Sequence, residues 1–331
     1  MAAGERPATM RAVQYSGSGG GAAALKFVEI AVPSVKKDEV LVKVEAASIN
    51  QSDLMTQKGM MRPFHPKFPF IPVNNVSGEI IEVGSAVREF KAGDKVVSKL
   101  DFWTAGGLAE YVATSEKLTV ARPAGISAAD AAGVPVAGMT ALQALKAIGT
   151  KFDGSTGSGA DVLITAASSG VGTYAVQLAK LGNHRVTATC GSRNLDLVVS
   201  LGADEVLDYK TPEGATLTSP SGRKYDYIVN IANQNKWSTF KRRLSRNGRV
   251  VDVAPNFGNV MASVVTLFSR RKKLSLVSLK MSKGDLALLL ELMQEGKLKT
   301  VIDSRHPFEK AAEAWARSLS GHATGKVIVE M

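Results

Sequence analysis

The stretch Asp161 to Gly182, DVLITAASSGVGTYAVQLAKLG, constrains the fold more than any other part of this chain. Val162 to Ala166 is a short apolar run, the pattern of a strand covered on both faces in a parallel sheet. Small residues follow from Ala166 to Gly172, and then Tyr174, Ala175, Gln177, Leu178 and Leu181 recur at helical spacing. The segment predicts strand, glycine turn, helix. Such a turn aims unpaired backbone N–H groups and the positive end of a helix dipole at one point, which suits a pyrophosphate. The spacing matches neither GxGxxG nor GxxGxxG, because Ala166 and Ser169 stand where the first two glycines would. Both are small, and a serine hydroxyl can donate to a phosphate. Ser168, Ser169, Gly170, Val171 and Gly172 are the predicted phosphate contacts, with an ordinary βα turn as the alternative.

The next strand, Arg185 to Thr189, ends at Cys190, Gly191, Ser192, Arg193 and Asn194. Folds that prefer the unphosphorylated dinucleotide place an Asp or Glu near this point to accept from the ribose hydroxyls. Here a serine and an arginine stand instead, and a guanidinium can pair bidentately with a 2′-phosphate. One such contact is worth about 1.5–3 kcal/mol, roughly 10- to 150-fold in favour of NADPH over NADH. Ser192, Arg193 and Asn194 are therefore assigned to the cofactor, with Tyr209 flanking its adenosine end; Arg193 as a mere helix starter is the alternative. Leu201–Lys210 and strand signals at Tyr225–Ala232, Gly248–Val253 and Leu274–Leu279 complete a six-stranded dinucleotide-binding sheet. Ala232 and Ala254 close two of these strands and join the cofactor set.

With 45% apolar residues in 331, the chain can bury two cores. A single cysteine, Cys190, excludes a disulfide framework and points to a reducing compartment. No apolar run approaches the roughly 18 residues of a membrane span. Residues 1–9 are expected to be a disordered tail without a readable targeting signal. The net charge of +11 gathers in Lys236–Arg249 and in Arg270 to Lys273, which suits an anionic membrane surface. Aromatic interleaving is sparse, so nucleic acid ranks below membrane. Met10 to Pro123 is β-rich, with a hairpin across Gly17–Gly21, alternating strands at Glu39–Ala47 and Val76–Val83, and further strand starts at Lys95 and Gly106. Asp94 reads as a turn residue. Ser127–Ile148 reads as one long helix joining two domains, followed by a glycine-serine loop, Gly154–Gly159.

The series NQSD (Asn50–Asp53), SGEIIEVG, FKAGDKVV, GGLAEY, PVAGMTALQAL, ASSGVGTYAVQLAK and SLGADEVLDYK resembles the medium-chain dehydrogenase/reductase superfamily, quinone oxidoreductase branch, in order along nearly the whole chain. KTPEGA, SPSG, GKLKTVIDSRHP and GHATGKVIVE are similar to the plant chloroplast-envelope quinone oxidoreductase homologs. The resemblance implies an α/β protein with a GroES-like β domain from residues 10–124 and 283–331, and a Rossmann doubly wound parallel six-stranded sheet from 125–282. It also implies NADPH-dependent reduction of α,β-unsaturated ketones, a homodimer paired edge to edge, and a chloroplast location, peripheral on the inner envelope, with a cytoplasmic location as the alternative.

In the zinc-dependent relatives a Cys occupies the Asn50 position and Gly-His-Glu the place of Val73, Asn74 and Asn75; zinc needs about four Cys, His or carboxylate ligands. None of these is present, and His65, His184, His306 and His322 lack ligand spacing. The expectation is metal-free chemistry. Reducing an enone leaves a delocalised enolate that a hydrogen bond or two can stabilise, whereas an isolated carbonyl leaves an alkoxide. The plant enone reductases commonly read NPxDxK; here Gln51 and Met55 replace the proline and lysine. Asn50 and Lys58 are the candidate catalytic residues, Lys58 supplying the missing charge from one helical turn further on, with a surface lysine as the alternative reading. Thr140 joins Asn50 at the nicotinamide end, Thr324, Gly325 and Lys326 contact the cofactor from the C-terminal segment, and Met55, Phe64, Phe102, Trp103 and Phe257 line the substrate pocket for an enone or quinone. The second reading is an NADPH-binding protein with vestigial redox activity that works through a basic membrane- or RNA-binding surface.

Overall fold

The computed structural model describes residues 6–60, 66–152, 159–269 and 271–331. The chain divides into two compact units, Met1–Val136 with Met281–Met331, and Ala137–Lys280. The first opens with β1 (Thr9–Gln14), β2 (Lys26–Ala31), β3 (Glu39–Ile49), α1 (Gln51–Gln57), β4 (Asn75–Val83), β5 (Lys95–Lys99), β6 (Tyr111–Ser115), β7 (Thr119–Ala121) and α2 (Ala128–Ala132). Then α3 (Val134–Ala147) leads into the second unit, with β8 (Asp161–Ile164), α4 (Gly170–Leu181), β9 (Arg185–Cys190), α5 (Leu195–Ser200), β10 (Glu205–Asp208), α6 (Pro212–Ala215), β11 (Tyr225–Asn230), α7 (Trp237–Arg243), β12 (Leu244–Asp252), α8 (Phe257–Thr266) and β13 (Lys273–Leu276). The chain returns to the first unit as α9 (Lys283–Gln294), β14 (Ile302–Pro307), α10 (Ala311–Leu319) and β15 (Lys326–Glu330).

In the first unit β1 and β2 form the expected hairpin, and a larger sheet runs β14-β15-β3-β4-β5-β7 with β6 also on β3. Eight of the eleven side chains of β3 are buried, and β4 and β6 flank its first half and β4 and β15 its second. The pairing of β15 with β3, Val327 opposite Ile49, brings the C-terminal segment beside Asn50. Trp315 and Phe308 pack into the same core as Leu54, Val76 and Val327. The Trp315 indole N–H is satisfied by Gln57 Oε1 at 2.8 Å.

In the second unit the parallel strands run β10-β9-β8-β11-β12-β13. With β8 counted as one this is 3-2-1-4-5-6, the order in which a doubly wound sheet reverses direction beside its first strand. Leu163, Ile228, Val250, Leu274, Tyr225 and Phe240 form its core. Gln143 and Lys280 exchange hydrogen bonds at 2.7 and 3.0 Å, tying α3 to the segment beyond β13.

Four expectations are corrected. The helix over Ser127–Ile148 is two helices: α2 ends at Gly133, and Pro135, which has no N–H to donate to the preceding turn, stands in the first turn of α3. The boundary moves from 124/125 to 136/137, and its return from 283 to 281, since Ala128, Ala129 and Ala132 pack on Ala46 and Ile328 of the first unit. The strand expected from Gly106 begins at Tyr111; Gly106, at φ 108°, turns the chain first. Of the tail expected over 1–9, Thr9 already belongs to β1, and Arg6 donates to Val32 O, Pro33 O and Glu82; residues 1–5 lie outside the described residues. So do Arg270, Phe64, His65 and all of the glycine-serine loop except Gly159.

Candidate active site

The phosphate turn is built at the carboxyl end of β8. Ala166 takes a left-handed conformation, φ 50°, and Ala167 N–H is held by Thr189 O at 2.8 Å. Ser169 is the N-cap of α4: its hydroxyl oxygen accepts from Gly172 N–H at 3.1 Å, which leaves its O–H to donate. A β-carbon on Gly172 would lie 2.2 Å from Ala166 O and 2.7 Å from Ala167 Cα. Only glycine lets the helix start this close to the strand. The amides of Gly170 and Val171, in the first turn, precede the helical ladder and are the donors such a turn offers.

A buried network that the sequence did not reveal joins the ends of the central strands. Thr165 Oγ1 donates to Asn230 Oδ1 at 2.9 Å and accepts Ile231 N–H and Ala232 N–H at 2.8 and 3.3 Å. Asn230 Nδ2 donates to Asp252 Oδ1 at 2.8 Å, and Asn259 Nδ2 to Asp252 Oδ2 at 2.7 Å. Ala254 N–H reaches Asp252 Oδ1 at 3.1 Å. Burial raises the Asp252 carboxyl above its ordinary range, against the pull of Asn230, Asn259 and Ala254. Ala232 and Ala254 thus owe their positions to Thr165 and Asp252.

At the end of β9, Ser192 and Arg193 are exposed in a short 3-10 turn, and Asn194 is buried. Tyr209, half exposed, lays its ring over Gly191, where a β-carbon would meet Tyr209 Cε1 at 3.4 Å. Cys190 is buried, and burial pushes its thiol up to about 11. Thr140 lies on α3 and is half buried; Phe257, at the start of α8, is 82% exposed.

In the first unit the sites cluster around Asn50, the N-cap of α1. Its backbone N–H donates to Asp53 Oδ2 at 2.7 Å, its Nδ2 donates to Ser48 O at 3.1 Å, and its Oδ1 accepts from Lys326 Nζ at 2.6 Å. Lys326 also donates to Ile49 O at 3.1 Å and is 4% exposed. Burial raises the Asp53 carboxyl to about 7, opposed by Asn50, Lys326 and Lys99. Burial likewise lowers the Lys326 ammonium to about 8, opposed by Asp53. Gly325, at φ 87°, admits this approach: a β-carbon would lie 2.1 Å from Val301 O. Thr324 N–H is anchored on Asp303 Oδ1 at 2.7 Å, and Asp303 is gripped by Arg317 at 2.7 and 2.6 Å. Lys58, at the C-cap of α1, is exposed. Met55 is half buried, and Phe102 meets Trp103 edge to face at 4.9 Å.

The basic stretches serve partly as helix caps. Lys272 Nζ donates to Lys241 O and Lys224 Nζ to Arg242 O, both at 2.7 Å, at the C-terminal end of α7. Beside them α8 exposes Phe257, Val260, Met261, Val264 and Val265, and Leu267 and Phe268 follow.

Residues 36–124 match the alcohol dehydrogenase GroES-like domain and residues 201–329 the zinc-binding dehydrogenase domain. The chain is 58% identical to the chloroplastic quinone-oxidoreductase QR1 of Triphysaria versicolor over 97% of this chain and 98% of that protein. It belongs to the medium-chain dehydrogenase/reductase superfamily. Within this superfamily it is 33% identical to the chloroplastic NADPH-dependent alkenal/one oxidoreductase of Arabidopsis thaliana, over 98% of this chain and 80% of that one. The quinone oxidoreductase of Coxiella burnetii superposes with a TM-score of 0.84 at 28% identity, covering 98% and 99% of the two chains. The expected fold, a GroES-like unit with a Rossmann unit, is the one observed. As a superfamily member the protein is an oxidoreductase that uses a nicotinamide cofactor on a small molecule.

The residues fit such a dinucleotide: the glycine-only approach of Gly172 and the first-turn amides of α4 form the cradle that a pyrophosphate needs. The zinc of some relatives does not fit the donor set. Among the described residues no three His, Cys, Asp or Glu side chains converge, and the neighbour of Asn50 is itself a cation, Lys326.

Proposed function

We propose that this protein uses NADPH to reduce the C=C bond of an α,β-unsaturated ketone, or a quinone, without a metal. The observation that carries the reading is Ser192–Arg193 at the end of β9, where a preference for NADH would call for an acid. The phosphate turn at Gly170–Gly172 would hold the pyrophosphate. Thr140, Ser168, Ser169, Asn194, Tyr209, Ala232, Ala254, Thr324 and Gly325 complete the proposed cofactor set, and Met55, Phe102, Trp103 and Phe257 the substrate set. When bound, the reduced nicotinamide supplies a hydride to the β-carbon of the acceptor. Asn50 donates an amide hydrogen bond to the oxygen on which the enolate charge gathers, and solvent protonates the α-carbon. The names of the Triphysaria and Arabidopsis relatives support both substrate classes, a chloroplast location and, for the second, NADPH.

The test is turnover: protein, NADPH and a panel of short alkenals, long-chain ketols and quinones, followed by loss of reduced-nicotinamide absorbance. Turnover with NADPH well above that with NADH supports the reading. Tight NADPH binding with no turnover on any acceptor would favour a vestigial enzyme.

The exposed apolar face of α8 and the outer edge of β13, which pairs only with β12 among the described residues, support a homodimer covering them. The adjoining cations Lys224, Lys241 and Lys272 favour a second reading, peripheral contact with an anionic membrane surface. Sedimentation of the protein alone, and pelleting with anionic vesicles at rising salt, separate the two. A dimer indifferent to vesicles supports the first, and salt-sensitive pelleting the second.

A further inference from the structure

A buried lysine in the first unit is brought to Asn50 by the other end of the chain. Lys326 begins β15, and its ammonium reaches Asn50 Oδ1 at 2.6 Å and Ile49 O at 3.1 Å with 4% of the residue exposed. A buried ammonium must find acceptors or lose its charge, and here one acceptor is the side chain assigned to the substrate oxygen. Because an ammonium only donates, it can face the oxygen of the amide and not the nitrogen. The two edges of a planar amide point apart, so the Nδ2 edge is turned away from Lys326, and one of its hydrogens is anchored on Ser48 O at 3.1 Å. A cation on the carbonyl oxygen also draws electron density from the nitrogen and strengthens its N–H as a donor.

We propose that Lys326 is a positioning residue for the reduction: it locks the Asn50 amide with its N–H edge outward and polarises it toward the developing enolate or quinol oxygen. This rests on the function proposed above and assigns Lys326 a task other than direct cofactor contact. The rest of the fold is arranged to deliver it. Gly325 is compatible with the approach only as glycine, Gly133 leaves room for the lysine stem, whose Cγ would lie 3.4 Å from a β-carbon there, and the Arg317–Asp303 pair holds Thr324 one residue before Gly325. The charged group acting on Lys326 is Asp53 of α1, and Lys99 of β5 acts on Asp53 in turn. The other elements against it, β3, β14 and the α2–α3 junction, present Ile49, Asn50, Ile302 and Gly133.

Two measurements test the proposal, one of them independent of turnover. In the unliganded protein, the side-chain amide resonance of Asn50 is expected to titrate with the same midpoint as the Nζ resonance of Lys326, near pH 8. An Asn50 amide that stays still through the lysine titration overturns the proposal whether or not the protein reduces enones. In turnover, Lys326→Met is expected to lower kcat/KM by roughly 10- to 100-fold with NADPH affinity unchanged, Lys326→Arg to restore part of the rate and to remove the fall above pH 8, and Asn50→Ala to make Lys326→Met silent. Should Lys326→Met fail to fold, Asn50→Ala alone decides: its pH profile loses the alkaline fall if Lys326 acts through the amide, and keeps it if the proposal is wrong. Absence of turnover in the wild type, with coupled titrations of the two resonances, would remove the proposed function and leave the coupling standing.

Discussion

Gly172 sits so close to Ala166 that a single added carbon would overlap the Ala166 carbonyl oxygen, 2.2 Å away. This contact sets where α4 begins and therefore where its free amides point. Replacing Gly172 with Ala is expected to destabilise the protein by about 1–3 kcal/mol, seen as a lower urea midpoint, and to weaken dinucleotide binding by calorimetry.

Asp252 closes the polar network behind the turn. Asp252→Ala leaves the buried Asn230 Nδ2 without its acceptor and takes one of two acceptors from Asn259 Nδ2, which keeps Asn235 O. A loss of about 1–3 kcal/mol per unsatisfied group is expected, measured by chemical unfolding, together with poorer cofactor affinity because Ala254 loses its anchor.

Asp53 makes stability depend on pH in a direction opposite to an ordinary salt-bridged carboxylate. Its carboxyl is raised from 3.8 to about 7, so the contribution it makes is full below the unfolded value and is lost as pH rises through 7. Asp53→Asn keeps an oxygen for the Asn50 N–H and removes the titration. Its urea midpoint is expected to gain on the wild type between pH 4 and 8, and parallel pH profiles for the two proteins would contradict this.

The parts of the fold legible in the sequence were those encoded locally. β8, the small-residue turn and α4 appear as a change from an apolar run to helical spacing within 22 residues, and β9, β11 and β12 each carry their own β-branched or aromatic residues. The need for glycine at 133 was not legible, because it comes from Thr300, a residue far along the chain. The tie between Lys326 and Asn50 spans 276 positions and exists only because β15 pairs with β3. The Thr165–Asn230–Asp252–Asn259 network was hidden for a related reason. Asn and Asp at the ends of strands read as turn formers, and only the parallel register of β8, β11 and β12 aligns them. Ser169 shows the converse: its place in the motif was plain, while its role as helix cap depended on Gly172 being in reach.

The exposed Arg193 at the end of β9 is proposed to read a phosphorylated nicotinamide dinucleotide, and direct titration tests it. NADPH and NADH are titrated by calorimetry into the wild type and into Arg193→Ala. The wild type is expected to favour NADPH by roughly 10- to 150-fold, and the variant to lose that preference while holding NADH as before. Equal affinity of the wild type for the two cofactors, or a preference that survives in Arg193→Ala, would contradict it.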